Sequence, residues 1–270
     1  MSTPPGGREC GATGFYLLPA SGEVAFRIAR DQYVDRRGIL SARGNKVVGP
    51  LPAGAHDSRG RYDTIGTTIY FADSAECAFA EVLQGFRKDL APLAVDAAAA
   101  GVPVDQWVQD VTEEAAALGV DAPWAISCDW QWNRSVFHVA MPIEGWWIAI
   151  DHPSTLAMLT RRLPAELTGL GVAYLTASQI AGDDRAITTL LAEHMRGVVL
   201  DDGSLPLGIS FASKTLHGRC WAFWDRRTDD GLSPAANDPS LLRSTNVDTP
   251  EMRTIAAEYG LPILPGRPRY

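Results

Sequence analysis

Apolar and polar positions along the chain follow two periods, and together these periods predict a mixed α/β fold. Short apolar runs are typical of strands, whereas apolar residues that recur every three or four positions are typical of one helix face. Strands are predicted at residues 24–29, 67–72, 135–141, 146–150, 172–174, 198–200, 208–212 and 220–224. Helices are predicted from a Ser74 cap to about residue 85, over 104–118, over 153–162 with Asp151 as the cap, over 178–195, and from Thr249 onward. The order of these elements predicts one domain.

Polar segments divide the chain into a main domain and three additions. Residues 1–22 are polar and rich in Gly and Pro, which predicts a flexible leader before the first strand. Residues 35–60 are too polar and too interrupted for a core element, which predicts a long loop inserted in the main domain, 23–225. Residues 226–270 are predicted to form a C-terminal extension packed on the same domain.

Composition and charge exclude several classes of protein. The 270 residues are 46% hydrophobic and 21% charged, and 24 basic against 32 acidic side chains give a net charge of −8. Such a chain can bury a sizeable core, and it offers no overall positive charge to a nucleic acid or an anionic membrane. The four cysteines are far apart, which predicts free thiols and no zinc site. No signal peptide and no apolar run of about 20 residues is found, so we expect a cytoplasmic protein without a membrane span.

Common catalytic motifs are missing from the sequence. It contains no phosphate loop of the GxxxxGK[ST] type, no GxGxxG, no HExxH and no GxSxG elbow. Ser213 and His217 stand four residues apart and suggest a nucleophile with its base, but a short loop after a strand produces this spacing often by chance. We therefore disfavour a serine nucleophile.

Polar residues at or near strand ends are the remaining candidates, and they suggest an anionic ligand. They are Arg27, Arg61, Tyr70, Glu81 and Ser213. Arg27 interrupts an apolar strand, and if it is buried it needs a counter-charge. A ligand phosphate and an internal Asp or Glu satisfy that need equally well.

Glu81 lies on the predicted helix face that otherwise carries small side chains, those of Ser74, Cys77 and Gly85. Small neighbours leave room for a ligand to approach the carboxylate. A solvated glutamate on a helix surface produces the same pattern, and the pattern alone favours that simpler interpretation.

Three segments of the chain carry a recognisable series of motifs. They are Gly60-Arg61-Tyr62 followed by IYFADSAECAFAEVL at 69–83, then WIAIDHPSTL at 147–156, and then GISFASK at 208–214 followed by CWAFW at 220–224. In this order they resemble the RES-domain family, which is named for its Arg, Glu and Ser. The first is similar to the family's central signature, the second to its strand-then-helix segment and the third to its strand that ends in Ser. The resemblance extends over about residues 24–224.

The resemblance implies an ADP-ribosyltransferase-like RES fold of the mixed α/β (α+β) type, with a mostly antiparallel centre flanked by helices and a catalytic domain at 23–225. It also implies NAD⁺ as substrate, with no metal. Arg27 and Arg61 would hold the dinucleotide phosphates, Tyr70 would stack against the nicotinamide or its ribose, and Ser213 would position the ribose or the nicotinamide. Glu81, Arg61, Tyr70 and Ser213 would form the catalytic group.

The function expected from the resemblance is that of a toxin that cleaves the nicotinamide–ribose bond of NAD⁺, with water or inorganic phosphate as acceptor, and that a cognate antitoxin neutralises. Two alternatives stay open. The same site would serve an ADP-ribosyltransferase that modifies a protein or a small molecule. A non-catalytic nucleotide-binding or interaction protein on the same scaffold would bind NAD⁺ and leave it intact.

Overall fold

The computed structural model describes residues 6–31 and 59–265. In these residues nine strands occur: β1 (Arg8–Glu9), β2 (Tyr16–Pro19), β3 (Val24–Arg30), β4 (Thr68–Ala72), β5 (Arg134–Ala140), β6 (Trp146–Ala149), β7 (Gly208–Ala212), β8 (Arg219–Trp224) and β9 (Ser240–Asn246). They form a single sheet in the order β1-β2-β6-β7-β8-β4-β3-β5-β9. The β6–β7 pair is parallel, and the other seven pairs are antiparallel.

The helices of the described residues are α1 (Ala75–Leu83), α2 (Leu90–Ala100), α3 (Val104–Ala117), α4 (Cys128–Trp132), α5 (Pro153–Arg162), α6 (Pro164–Gly169), α7 (Ala177–Ala181), α8 (Arg185–Arg196), α9 (Arg226–Asp229) and α10 (Pro250–Glu258). A short 3-10 helix, Gln84–Phe86, follows α1. The predicted mixed α+β class, with a mostly antiparallel sheet and accompanying helices, is confirmed.

The two faces of the sheet have different partners. One face, called here the helical face, packs its strand residues Phe211, Ala222 and Ile148 in one core with residues of α1, α5, α6, α7 and α8. The opposite face, called the aromatic face, buries a cluster rich in aromatic side chains, among them Phe71, Phe137, Trp147, Trp221 and Phe223. Because successive strand residues point to opposite faces, every second residue of a strand lies on the same face of the sheet.

The segment predicted as a flexible leader belongs to the fold from residue 6 onward, and this corrects the prediction for residues 6–22. Strand β2 pairs with β6, with Leu17 opposite Ile148. Phe15 and Leu17 are fully buried in the core of the helical face. The pairing joins positions more than 100 residues apart, so the local composition carried no sign of it.

Several local predictions differ from the structure. Residues 172–174 and 198–200 lie outside any strand, and the predicted helix over 178–195 is two helices, α7 and α8, separated by residues 182–184. Val172 instead donates its N–H to Leu167 O at 2.8 Å, which closes the end of α6. The predicted inserted loop at 35–60 lies outside the described residues, apart from Arg59 and Gly60.

The cap of α5 is His152 and not Asp151. His152 accepts the N–H of Ser154 on its ring nitrogen Nδ1 at 3.3 Å. Asp151 is occupied elsewhere, because its carboxylate accepts both Nη groups of Arg219, at 2.9 and 3.2 Å, and the N–H of Ala212 at 3.0 Å. The stronger charged partner therefore takes the carboxylate away from the helix end.

Residues 240–258 extend the same sheet and cover helix α1. Strand β9 pairs with β5, and α10 buries Met252 and Ile255 in one cluster with Phe79 and Leu83 of α1. Helix α1 is thereby packed between the sheet and α10. Among the helices of the described residues, none has the length and apolar character needed to cross a bilayer.

Candidate active site

Four of the five predicted site residues lie on the helical side of the sheet. Tyr70 stands opposite Ala222 in the β4–β8 ladder, and Ala222 belongs to the helical-face core. Ser213 follows β7 with the same parity as Phe211, which is in that core. Glu81 is carried by α1, whose first turn is capped by Ser74, since Cys77 N donates to Ser74 Oγ at 3.1 Å.

Glu81 is held by contacts from three directions. Its Oε1 accepts the hydroxyl of Ser213 at 2.6 Å and the backbone N–H of Lys214 at 3.2 Å. Its Oε2 accepts the amide of Gln84 at 3.2 Å and lies 4.0 Å from Nη2 of Arg61. The side chain keeps 23% of its surface exposed, so a ligand can reach a carboxylate whose position is already set.

Arg61 is the buried cation of the site, with 7% of its surface exposed. Its guanidinium lies over the ring of Phe211 at 5.5 Å and near that of Tyr62 at 6.0 Å. The Nε of Arg61 is buried and has no hydrogen-bond partner among the described residues. A buried guanidinium with an unsatisfied donor favours an additional anion, because the desolvation of the charge is then offset.

Tyr70 is part of the turn that carries Arg61. Its hydroxyl donates to Asp63 Oδ1 at 2.8 Å and accepts the N–H of Tyr62 at 2.9 Å. Burial, and then the neighbouring Asp63 carboxylate, raise the pKa of Tyr70 well above its ordinary value. Gly60 allows this approach, since a Cβ there would lie 2.7 Å from the Tyr70 hydroxyl. The hydroxyl thus serves the turn, and the residue as a whole is partly exposed.

Arg27 is not brought together with the other four residues, and this corrects its placement in the site. Its neighbours Phe26 and Ile28 pack on the helical side, against clusters that include residues of α1. Arg27 itself stands opposite Phe137 in the β3–β5 ladder, and Phe137 lies in the aromatic-face core. The alternation of the strand therefore directs Arg27 to the face opposite Glu81.

Two further cations lie beside the site, and sequence reasoning missed their role. Lys214 Nζ contacts Asp183 Oδ1 at 2.9 Å, and Arg185 Nη2 lies 3.3 Å from the same oxygen. The Lys214 hydrogen bond first, and then the charges of Lys214, Arg185 and Arg61, hold the pKa of Asp183 below its ordinary value. We call Arg61, Arg185 and Lys214 the cation cluster.

A local signal for Asp183 and Arg185 exists in the sequence. Gly182-Asp183-Asp184 interrupts the apolar period, and Asp184 caps α8 by accepting the N–H groups of Ala186 at 3.0 Å and Ile187 at 3.3 Å. An aspartate directly before an apolar-periodic segment is a helix-start signal. This signal predicts a boundary before α8, and therefore a polar turn that contains Asp183.

Ser213 and His217 do not contact each other as a nucleophile and its base would. Ser213 donates to Glu81, and the hydroxyl of Thr215 lies between Ser213 and the histidine ring. The Ser213 oxygen is therefore engaged on both sides. It is placed to orient Glu81 and not to attack a substrate.

Taken together, the described residues form a carboxylate-centred site with a buried cation next to it. Those residues contain no cluster of three or more His, Cys, Asp or Glu side chains that could hold a metal ion. Comparison of the chain with the models of known protein families, with curated proteins and with solved structures finds no match.

Proposed function

We propose that this chain cleaves the nicotinamide–ribose bond of NAD⁺ and transfers the ADP-ribosyl group to water or inorganic phosphate. The observation that carries the proposal is the environment of Glu81, whose carboxylate is fixed by Ser213 at 2.6 Å and has the buried Arg61 at 4.0 Å. A carboxylate fixed in this way, and still reachable from solvent, suits a reaction that develops positive charge on the substrate.

The chemistry requires an anion close to the ribose. When the bond from ribose C1′ to the nicotinamide nitrogen breaks, the electron pair leaves with nicotinamide and positive charge develops on the ribose. A carboxylate already oriented before the reaction stabilises that charge without reorganisation. Glu81 would also accept the proton of the attacking water, and Ser213 and Lys214 N–H keep its Oε1 in one orientation.

The cation cluster supports binding of the dinucleotide phosphates, in the role that the resemblance gave to Arg27 and Arg61. Arg61 has an unsatisfied buried Nε, and Lys214 and Arg185 share the Asp183 carboxylate. In this proposal the Asp183 carboxylate is the anionic partner of Lys214 and Arg185 in the free protein, and a phosphate of the dinucleotide takes its place when NAD⁺ binds. Tyr70, which is partly exposed and whose hydroxyl is held by the turn, would offer its ring for stacking against nicotinamide or its ribose.

Further parts of the proposal follow from the resemblance alone. They are that the α+β architecture is an ADP-ribosyltransferase-like RES fold, that the chain acts as a cytoplasmic toxin on the NAD⁺ pool, and that a cognate antitoxin protein neutralises it. Co-expression with proteins encoded next to this chain, scored for recovery of growth, tests the antitoxin separately from the chemistry.

The test of the chemistry is release of nicotinamide from NAD⁺ by the purified chain, followed by chromatography with and without inorganic phosphate. We expect release by the wild type and loss of about 100-fold or more in Glu81→Gln, because that variant keeps the shape and removes the charge. The matched control is Glu76→Gln, on the same helix and exposed, which we expect to behave as the wild type.

Each alternative has its own outcome in the same experiment. ADP-ribose added to a protein or small-molecule acceptor, with little free ADP-ribose, would identify a transferase. NAD⁺ that binds and stays intact in every sample would identify a binding protein and reject the proposed cleavage. Full activity of a folded Glu81→Gln variant would reject the role of Glu81.

A further inference from the structure

A continuous chain of hydrogen bonds leads from Glu81 to the protein surface. Ser213 Oγ lies 2.6 Å from Glu81 Oε1 and 2.6 Å from Thr215 Oγ1. Thr215 Oγ1 lies 3.1 Å from Nδ1 of His217, and Nε2 of His217 lies 3.0 Å from Glu258 Oε2. The side chain of Glu258 is 51% exposed, so the chain ends in solvent.

The loop between β7 and β8 is shaped to hold this chain. Ser213 N donates to Gly218 O at 2.9 Å, and Leu216 N donates to Ser213 O at 3.1 Å. Leu216 adopts a φ of +64°, a conformation that a leucine rarely takes, while its side chain is 80% exposed. Gly218 adopts a φ of +150°, and a Cβ there would lie 2.2 Å from Asp73 Oδ1. The strained turn serves no packing of Leu216, but it brings Thr215 between Ser213 and His217.

Counting protons shows that two arrangements satisfy every bond of the chain. In the first, His217 is an imidazolium that donates to Thr215 and to Glu258, Thr215 donates to Ser213, and Ser213 donates to the Glu81 carboxylate. In the second, Glu81 is protonated and donates to Ser213, Ser213 donates to Thr215, and Thr215 donates to Nδ1 of a neutral His217. The two arrangements contain the same number of protons.

The shift of three protons along the three bonds converts one arrangement into the other. Its net effect is to move one proton between Glu81 and His217, with the two hydroxyls returned to their neutral state. Histidine is the side chain that most readily exchanges such a proton with water near neutral pH. The groups that face His217 and Thr215 are Glu258 and Tyr259. The Tyr259 ring centroid lies 6.2 Å from that of His217, its buried hydroxyl lies beside Thr215, and Arg87 lies over that tyrosine ring at 4.8 Å.

We propose that His217 is a positioning residue which, through Thr215 and Ser213, orients Glu81 and takes from it the proton released when water attacks NAD⁺. This proposal rests on the proposed function. As the C1′–nicotinamide bond breaks, water forms the new bond to C1′ and one of its protons passes to Glu81. That proton then moves through Ser213 and Thr215 to His217, and from there to bulk water.

The kinetic test uses the hydroxyl in the middle of the chain. Thr215→Val removes the hydroxyl at nearly constant shape, and we expect kcat for nicotinamide release to fall about tenfold or more with KM for NAD⁺ within about twofold. Thr215→Ser restores the hydroxyl and is expected within about threefold of the wild type. His217→Gln, which cannot take up a proton, is expected to lower kcat like Thr215→Val. Wild-type kcat in Thr215→Val or in His217→Gln, or equal loss in Thr215→Ser, would overturn the proposal.

A measurement without turnover separates this proposal from the proposed function. The ¹⁵N resonances of the His217 ring, assigned with His217→Gln, are recorded in protein without ligand. We expect Glu81→Gln to shift them and Glu76→Gln to leave them unchanged, and we expect the Glu81→Gln effect to vanish in the Thr215→Val background. If the ring resonances are unchanged in Glu81→Gln, the proposed proton transfer from Glu81 to His217 is overturned, even if NAD⁺ is cleaved. If the protein shows this coupling but leaves NAD⁺ intact, proton transfer between Glu81 and His217 would be supported and the proposed cleavage rejected.

Discussion

The carboxylate of Glu81 accepts a 2.6 Å hydrogen bond from the hydroxyl of Ser213, although the two residues are 132 positions apart in the chain. Ser213 has 1% of its surface exposed, so this bond forms away from most competing water. It joins helix α1 to the end of strand β7. The position of the carboxylate is thereby fixed by two elements that meet only in the folded protein.

Ser213→Ala should reduce both stability and turnover. The variant removes a buried hydrogen bond to a carboxylate, and we expect the free energy of unfolding to fall by roughly 1.5–3 kcal/mol. Nicotinamide release should fall because Glu81 loses the contact that orients it. The matched control is Ser210→Ala, which changes an equally buried serine of β7 that contacts Arg219 on the opposite face. Equal turnover in the two variants would contradict the role of Ser213.

Arg61→Ala should chiefly weaken substrate binding. If Arg61 contacts a phosphate, its loss removes charge-assisted hydrogen bonds, and we expect KM for NAD⁺ to rise about 10- to 100-fold. Arg219→Ala serves as a control because that arginine pairs with Asp151 and Ser210, away from Glu81. Titration calorimetry with ADP-ribose gives the same comparison without turnover. A normal KM in folded Arg61→Ala would reject the phosphate contact.

Asp183→Asn should strengthen binding of the dinucleotide. The pKa of Asp183 is lowered, chiefly by the hydrogen bond from Lys214, so the group is a carboxylate at neutral pH and competes with a phosphate for the cation cluster. Removing its charge should lower Kd for ADP-ribose severalfold at low salt, and the difference should shrink as ionic strength rises. Asp184→Asn, which changes only the cap of α8, is the control. Weaker binding of ADP-ribose to Asp183→Asn would show that Asp183 holds Lys214 and Arg185 in position and does not compete with the phosphate.

Tyr70→Phe should destabilise the fold and leave substrate stacking intact. Loss of the hydroxyl removes the hydrogen bonds to Asp63 Oδ1 and from the N–H of Tyr62, while Asp63 Oδ2 keeps the N–H of Gly60, and we expect a cost of roughly 1–3 kcal/mol. Because the pKa of Tyr70 is raised in the fold, while an unfolded tyrosine ionises near pH 10, stability should fall as pH rises above about 10. Between pH 7 and pH 10.5 the free energy of unfolding, measured with urea, should fall less in Tyr70→Phe than in the wild type. A large rise in KM would instead assign the hydroxyl to the substrate.

Cys77 and Cys220 should resist alkylation in the folded protein. Their sulfurs lie 3.7 Å apart, both residues are buried, and the hydrogen bond with Cys77 and then burial raise the pKa of Cys220. Alkylation requires a thiolate, so iodoacetamide at pH 8 should modify the partly exposed Cys128 first. Peptide mass spectrometry before and after unfolding measures the order, and rapid native labelling of Cys220 would contradict it.

The sequence carried enough information for the elements around the site. The apolar runs of β3, β4, β7 and β8 and the Ser74 cap of α1 are local signals, and the structure has these elements within one or two residues of their predicted bounds. Strands β1 and β2 were missed because β1 pairs only with β2, and the pairing of β2 with the distant β6 is not encoded locally. The strand β9 and the helix α2 have few buried residues, so their hydrophobic pattern is weak.

The placement of Arg27 failed for a different physical reason. Strand β3 is covered on both faces, by α1 on one side and by the aromatic cluster on the other, so its apolar residues do not show which face carries the site. Only the register with β5 decides that Arg27 lies on the aromatic side. Asp183 and Arg185 were missed because residues 178–195 were predicted as one helix, which hid the boundary before α8. Lys214 was missed because its ion pair with Asp183 joins two distant segments and leaves no periodic signal.

Helix α10, near the C-terminal end of the chain, supplies contacts that complete the site. Met252 and Ile255 cover the side of α1 formed by Phe79 and Leu83, and Glu258 is the outer partner of His217. On the ribosome, the helix that carries Glu81 is made long before this cover exists, and until then that side of α1 lacks the apolar contacts of Met252 and Ile255. The growing chain therefore cannot complete the surroundings of Glu81 until residues 250–258 have been added. Nascent chains that end earlier should therefore contain an incomplete site, without the α10 cover of α1 and without Glu258 beside His217.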